Sequence, residues 1–445
     1  MTKDMTEGAI PHLLVGFTIP LVLGNLFQLL YNAVDSMIVG KFVGETALAA
    51  VGTSSPLMTL AILFISGMCM GASVLMSSQY GAKDYDTLSR QISTTMLAGC
   101  GFSVVFSLLM LLLANPVLRL IRVPETAIPE AAAYLRIIFM GLIFTFMYNF
   151  LANTMRALGD SKTPLYFLVT SAFLNIFGDL FFVVVLRWGV AGSAIATVCS
   201  EGLCCLLCGI YIKKKIPLLC LGKKWWVFDK SLLGKTVSYG STSAMQQVCL
   251  QLGKLIIQSV VNTQGVAVMA AFTAVNRVDD FAYTPQQNIG HAMTTFLAQN
   301  KGAGHKERMK KGFQTGLLIE LVYSVGLFCV IWGLAPQIMT LFAEDGDAQV
   351  VSLGISYLHL ISWMYILPGL TNGVQGFFRG IGDLKVTLYS TFMNMFGRVV
   401  AVFVMIRLLQ MEFASLAWAN MVGWIVMLLF EVPLLVKSMR NGECG

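Results

Sequence analysis

The stretch PLVLGNLFQLLYNAVD, residues 20–35, decides how this chain is read. It sits inside an apolar block, residues 13–39, that is long enough to cross a bilayer as a helix. Within it Asn25, Gln28, Asn32 and Asp35 fall at relative positions 0, 3, 7 and 10, which is one face of a 3.6-residue helix. A carboxylate at membrane depth costs about 3 kcal/mol on insertion scales, so it faces a bundle interior or a water-filled cavity. An acid on such a stripe points to an ion or proton site on a transport path.

The rest of the chain agrees with a membrane setting. Hydrophobic residues make up 56% and charged residues 12%, which excludes an ordinary soluble domain. Twelve hydrophobic blocks follow one another, at about 13–39, 47–76, 91–114, 131–154, 164–186, 190–212, 236–261, 266–297, 313–334, 352–378, 385–408 and 413–436. The polar residues Thr2 to Glu7 precede the first block and no small-residue cleavage site follows it, so that block is expected to remain as a span. The expected fold is an all-α integral membrane protein.

Basic residues orient it. Lys83, Arg90, Arg156, Lys162, the Lys213–Lys235 group, Lys301, Lys306, Arg308, Lys310, Lys311, Arg379 and Lys385 fall in one set of connections, with Lys3, Lys437 and Arg440 at the ends. The other set holds Lys41, Arg119, Arg122, Arg187 and Arg407. This asymmetry places both termini in the cytoplasm. The net charge of +7 then has lipid headgroups as its partner, and no nucleic acid is implied.

The chain also repeats itself at a period of about 220 residues. Ser78-Gln79-Tyr80-Gly81-Ala82-Lys83 returns as Ala298-Gln299-Asn300-Lys301-Gly302-Ala303-Gly304, with one residue inserted. Arg156-Ala-Leu-Gly159-Asp160 returns as Arg379-Gly-Ile-Gly382-Asp383, and Asn175-Ile-Phe-Gly178-Asp179 as Asn394-Met-Phe-Gly397-Arg398. Two halves of six spans each have the same orientation, related by a pseudo-two-fold axis along the membrane normal. The expected divisions are a six-helix lobe at 1–212, a basic amphipathic linker at 213–235 and a second six-helix lobe at 236–445. Lys223-Lys224-Trp225-Trp226 in the linker suits a cytoplasmic membrane interface.

These motifs, with Pro20-x4-Asn25 and Leu30-Tyr31-Asn32-x-x-Asp35, resemble the multidrug and toxic compound extrusion (MATE) transporters. Pro20, Tyr31, Asp35, Asn175, Asp179 and Thr197 coincide with first-lobe positions of the DinF-type, MepA-like bacterial branch. The resemblance implies a V-shaped pair of lobes in the bacterial plasma membrane that exports small cationic, amphipathic compounds in exchange for H⁺ or Na⁺. It implies a coupling-ion site of Asp35, Asn175, Asp179 and Thr197, with Tyr31 beside it and a helix able to bend at Pro20. The chain departs from the NorM-type branch, whose second lobe carries acids on its seventh and tenth helices. Here those helices have Gln246, Gln247, Gln251 and Lys254, then Asn372 and Gln375.

The residues add detail to that expectation. Asn175 and Asp179 are four apart, as are Thr197 and Glu201, so each pair shares a helix face. Oxygen ligands from Asp, Asn and Thr suit Na⁺, and repelling carboxylates suit a shared proton, so the coupling ion stays open between the two. Gln28, Asn32, Glu201, Arg277, Asp280 and Arg398 are further candidates for a substrate cavity. Arg277, Asp279 and Asp280 can form a local ion pair, with Lys254 and Arg398 as alternative partners. Twenty-five methionines fit an adaptable binding surface.

An enzyme is not expected. Four histidines have no ligand spacing, and Cys205-Leu-Leu-Cys208 lacks a neighbouring histidine, so no metal or other cofactor is implied. A membrane-embedded transferase would need convergent histidines or an aspartate-rich motif. A lipid-linked precursor flippase of the same superfamily is the nearer alternative. The protein is expected to act as a monomer.

Overall fold

The computed structural model describes residues 4–43, 45–120, 123, 125, 128–216, 227–342, 348–409, 413 and 415–440. They form helices and short connections, as a chain in hydrocarbon must to satisfy its backbone internally. The first half comprises α1 (Ile10–Phe42), α2 (Glu45–Gly81), α3 (Tyr85–Leu120), α4 (Ile128–Met140), α5 (Leu142–Ala157), α6 (Lys162–Asp179) and α7 (Gly189–Lys215). The second comprises α8 (Lys230–Val261), α9 (Val266–Gly302), α10 (Lys306–Phe342), α11 (Ala348–Ser362), α12 (Ile366–Ile381), α13 (Leu384–Phe403) and α14 (Ser415–Arg440). One π-helical turn, Leu180–Val185, extends α6, and another, Val404–Leu408, extends α13.

Among the described residues nine helices are long and apolar enough to cross a membrane. The number becomes ten if α4 and α5, bent by 46° at Gly141, make one span. The expected twelve is therefore reached only in part on length and composition. α8 and α9 fall short despite their 32 and 37 residues. Both carry polar stripes, with Gln246, Gln247, Gln251, Lys254 and Gln258 on α8 and Asn276, Arg277, Asp279, Asp280 and Gln286 on α9. The chain is a multi-pass membrane protein, and outward-facing apolar side chains such as Leu112, at 79% exposure, and Leu120, at 81%, suit contact with lipid.

Two compact units divide the chain. One contains Met1–Asp4 and Ile19–Ala244, the other Met5–Thr18 and Met245–Gly445. α1 changes unit between Thr18 and Ile19, beside Pro20, and α8 changes unit between Ala244 and Met245. The Lys223–Trp226 part of the expected linker lies outside the described residues.

In the first unit Leu88, Ile92, Leu135, Phe139, Phe146, Phe150 and Met155 form the main apolar core. A smaller cluster, Val39, Tyr134, Ile138, Val190 and Ala194, brings α1, α4 and α7 together near Asp35. In the second unit a large core surrounds Tyr357, Ile361, Met364 and Tyr365.

The loop motifs have a structural explanation. Gly159 (φ 81°) and Gly382 (φ 86°) take the left-handed conformation that ends α5 and α12. The following amide closes each end, from Asp160 to the Met155 carbonyl at 3.0 Å and from Asp383 to the Phe378 carbonyl at 2.8 Å. Asp160 then caps α6, accepting from the Thr163 amide at 3.0 Å and the Thr163 hydroxyl at 2.6 Å. Gly stops the helix in both halves, and in the first half Asp160 also starts the next one.

The other motif is used differently in the two halves. Gln299 accepts from the Met5 amide at 2.9 Å, while Asn300 donates to the Met5 carbonyl at 3.1 Å. Those contacts fasten the segment before α1 to the second unit. In the first unit the segment before α8 is held instead by α3, where Ser93 donates to the Val227 carbonyl at 2.9 Å and Arg90 pairs with Asp229. At the start of α3, hydrogen bonds from Thr87 hold the exposed Asp84 carboxyl below the usual carboxylate range.

Candidate functional site: paired carboxylates in the first unit

Three helices of the first unit converge on the residues singled out from sequence. α1 presents Tyr31 and Asp35, α6 presents Asn175 and Asp179 in its last turns, and α7 presents Ser193, Thr197 and Glu201. Small residues let α6 and α7 approach, since a Cβ on Gly178 would lie 2.9 Å from that of Ala196. Asp179 closes the α-helical part of α6, and the chain widens into the π-turn immediately after it.

Ser193 donates to Asp35 Oδ1 at 2.8 Å. Asn175 Nδ2 donates to Thr197 Oγ1 at 3.2 Å, and Thr197 donates onward to the Ser193 carbonyl at 3.1 Å. Asp35 and Asp179 approach within hydrogen-bonding range of one another. Tyr31 lies beside Gln28, Glu201 and Asp35, and Tyr134 of α4 lies within electrostatic reach of Asp35, Asp179 and Glu201. Glu201 accepts a short hydrogen bond from Thr145 of α5.

Asp179 is fully buried, and neither of its oxygens has a donor. The Asn175 side-chain oxygen is likewise buried and unpartnered. Three buried oxygens without donors next to a second carboxylate are stable only if a positive charge joins them. A proton shared by Asp35 and Asp179 meets that requirement, and so does a small hard cation. Asp35 and Thr197 are partly exposed, so the cluster is not sealed, and Gln28 and Asn32 on α1 are exposed.

The remaining candidates belong to the second unit. Asp280 pairs with Lys254 at 3.2 Å, both about half exposed, and Arg277 is also exposed. Arg398 lies in electrostatic range of Asp279. Counted back from the π-turns, Arg398 stands near the level of Asn175, about one turn from the Asp179 level that the motif alignment gives it.

Asp279 itself is buried, accepting from Tyr365 at 2.6 Å and Tyr357 at 2.9 Å, with Asn420 donating to the Tyr357 hydroxyl at 2.9 Å. Ser193, Tyr134 and Thr145 do not stand out in the sequence. Only Ser193 had a signal, four residues before Thr197 on the same face. Among the described residues no three His, Cys, Asp or Glu side chains are grouped to hold a metal ion. Cys204 serves packing, its thiol donating to the Phe167 carbonyl at 3.1 Å.

Against known proteins, the MatE family profile matches residues 20–181 and 243–404, one segment in each half. The chain belongs to the MatE family. The "Probable multidrug resistance protein YpnP" of Bacillus subtilis is 32% identical over 86% of this chain and 86% of its own length. The "Probable multidrug resistance protein NorM" of Thermotoga maritima is 23% identical over 93% and 89%. The "Multidrug export protein MepA" of Staphylococcus haemolyticus is 20% identical over 85% and 83%. Among solved structures, a MATE protein in complex with MaL6 superposes with a TM-score of 0.92 at 22% identity, covering 100% of this chain and 99% of that one. A MOP superfamily transporter from Pyrococcus furiosus gives 0.89 at 20% identity over 98% of each. These structures share the fold of this MatE protein.

Proposed function

We propose that this MatE protein is a cation-coupled antiporter that exports cationic, amphipathic compounds by alternating access. The observation that carries the proposal is the Asp35–Asp179 pair, with Asp179 buried and Asp35 partly exposed, set among Asn175, Ser193 and Thr197 without enough donors for two negative charges. A cation entering from outside neutralises the pair, and its release to the cytoplasm restores the charge. Tyr31 borders the site, and Gln28, Asn32 and Glu201 extend its polar face toward substrate. Arg277, Asp280 and Arg398 are assigned to the second unit's polar surface.

Loading is coupled to shape through α1. Proline removes a backbone donor and weakens the helix around it, and Pro20 sits where α1 passes from one unit to the other. Twelve spans in two lobes of six, with α8 and α9 as the two polar spans, complete the architecture. The termini lie in the cytoplasm of a bacterial cell, the basic connections face anionic lipid, and the protein works as a monomer. The α1 motif and the lack of acids on α8 and α12 favour the DinF-type, MepA-like branch.

Ethidium efflux from inside-out vesicles tests the reading, with an imposed pH gradient in one arm and an imposed Na⁺ gradient in the other. Transport under the pH gradient alone identifies proton antiport, and a Na⁺ requirement makes the same oxygens a coordination shell. Transport under neither gradient overturns the antiport reading and favours a lipid-linked substrate.

A further inference from the structure

The second unit contains a buried acid that the reading above does not use. Glu431 lies within α14, is completely inaccessible, and has no hydrogen-bond partner on either carboxyl oxygen. Around it stand amides and hydroxyls from three other helices. Gln246 of α8 donates to Gln375 of α12 at 3.1 Å and to Thr391 of α13 at 3.0 Å. Gln375 Nε2 donates to Thr391 at 3.0 Å and to Ser390 at 3.4 Å, while Ser390 donates to the Thr387 carbonyl at 3.1 Å. Ser390 and Gln375 are the polar groups nearest the carboxyl.

The charges facing it are few. Arg379 of α12 is the charged group in electrostatic range of Glu431, and it is 4% exposed. Behind it, His291 of α9 stands 3.4 Å from the guanidinium. Arg379 and Glu431 are not in ion-pair contact, although both are buried in the same unit.

We propose that Glu431 is a second protonatable site, in which Gln375 and Ser390 exchange hydrogen bonds with the carboxyl as its proton comes and goes. In the arrangement described, the amide N–H groups of Gln246 and Gln375 and the hydroxyl of Ser390 are all committed to other acceptors. That leaves the anion only weak contacts from Ser390 and Gln375, while oxygen lone pairs remain for a carboxyl O–H, which is the neutral form. Rotation of the Ser390 hydroxyl and of the Gln375 amide supplies donors to the anion, and Arg379 then provides its counter-charge. A buried carboxylate left without donors would be too costly to hold. Side chains that serve as donor or acceptor accommodate both states.

The first unit has no counterpart. Its own motif arginine, Arg156, is half-buried with Nε buried and unpartnered, and the inner face of α7 offers Cys204 and Cys208 where α14 offers an acid. The proton site is thus particular to the second unit. A role in coupling rests on the antiport reading, but protonation itself does not.

Infrared difference spectroscopy of the purified full chain between acid and alkaline pH tests this without any transport substrate. The carbonyl band of a protonated carboxyl is expected to titrate in the wild type, to persist in Asp35→Asn, and to lose one component in Glu431→Gln. Glu431→Asp, eluting as the wild type does, is expected to shift that component rather than remove it. Identical difference spectra for the wild type and Glu431→Gln overturn the proposal, as does a component that responds to Na⁺ and not to pH. If the component is present but vesicles transport under neither gradient, the site stands and the antiport reading fails.

Discussion

The two units place buried acid differently. In the first, Asp35 and Asp179 come from different helices and face each other, so each raises the cost of charge on the other. In the second, Asp279, Glu320 and Glu431 are each buried. Asp279 is satisfied by two phenols, whereas both oxygens of Glu320 and of Glu431 lack a partner. A pair can be neutralised by one cation that belongs to neither partner, which makes it responsive to concentration. An acid held by fixed donors responds to nothing in solution. Duplication supplied two similar frames, and the placement of carboxylates within them gives the halves different work.

The comparison breaks most easily at the pair. Asp35→Asn or Asp179→Asn removes one charge and leaves a neutral amide, so loading no longer changes the local charge as it does now. Export in a gradient is expected to fall to background while expression and elution are unchanged. Ethidium efflux from vesicles measures this, and retained export by both variants would assign the pair a structural role.

Asp279 should behave differently. Asp279→Asn replaces an acceptor of two phenol hydrogen bonds with a group that has one acceptor and two donors. The mismatch is expected to cost about 2 kcal/mol of stability, since hydrogen bonds to charged groups are worth more than neutral ones. Thermal unfolding in detergent reads the loss, and export by the remaining folded protein is expected to persist. Loss of export without loss of stability would place Asp279 among the coupling groups.

Much of this contrast was legible in the sequence, because helical periodicity fixes which residues share a face. The Asn25–Asp35 stripe and the four-residue spacings of Asn175/Asp179 and Thr197/Glu201 carried enough information to name the residues that converge. What periodicity leaves out is the neighbour across the gap. Ser193 is one serine among many until α1 is packed beside α7. The polar stripes of α8 and α9 lowered their membrane signal, although Gln246, Asp279 and Gln286 on them are buried and hydrogen-bonded within the second unit. At Arg398 the motif alignment and the π-turns differ by about a turn, because α13 runs nine residues from Asn394 to its end and α6 runs four from Asn175. Glu431 had a visible signal, a lone acid within an apolar span, yet no motif drew attention to it.

A smaller effect sharpens the account of the pair. Ser193→Ala removes the 2.8 Å hydrogen bond to Asp35 but leaves both carboxyls. Export is expected to fall about fivefold, the factor given by about 1 kcal/mol for one lost hydrogen bond. The dependence on gradient size should change with it, because Asp35 is then oriented by Asp179 alone. Initial rates measured across a series of imposed gradients show both. An unchanged rate would mean that the pair is positioned by the helices themselves.

The smallest effect is expected where an ion pair is most obvious. Lys254 and Asp280 approach to 3.2 Å, but each remains about half exposed. Exposed pairs of this kind contribute about 0–1 kcal/mol, because water and salt screen them and ordering two side chains offsets the attraction. Lys254→Met should therefore change thermal stability very little, and raising the salt concentration should erase what difference there is. A salt-insensitive loss of export in Lys254→Met would show that the pair acts on substrate or cation instead. The second unit would then share the first unit's work through its surface charges, and the division drawn between the two would have to be redrawn.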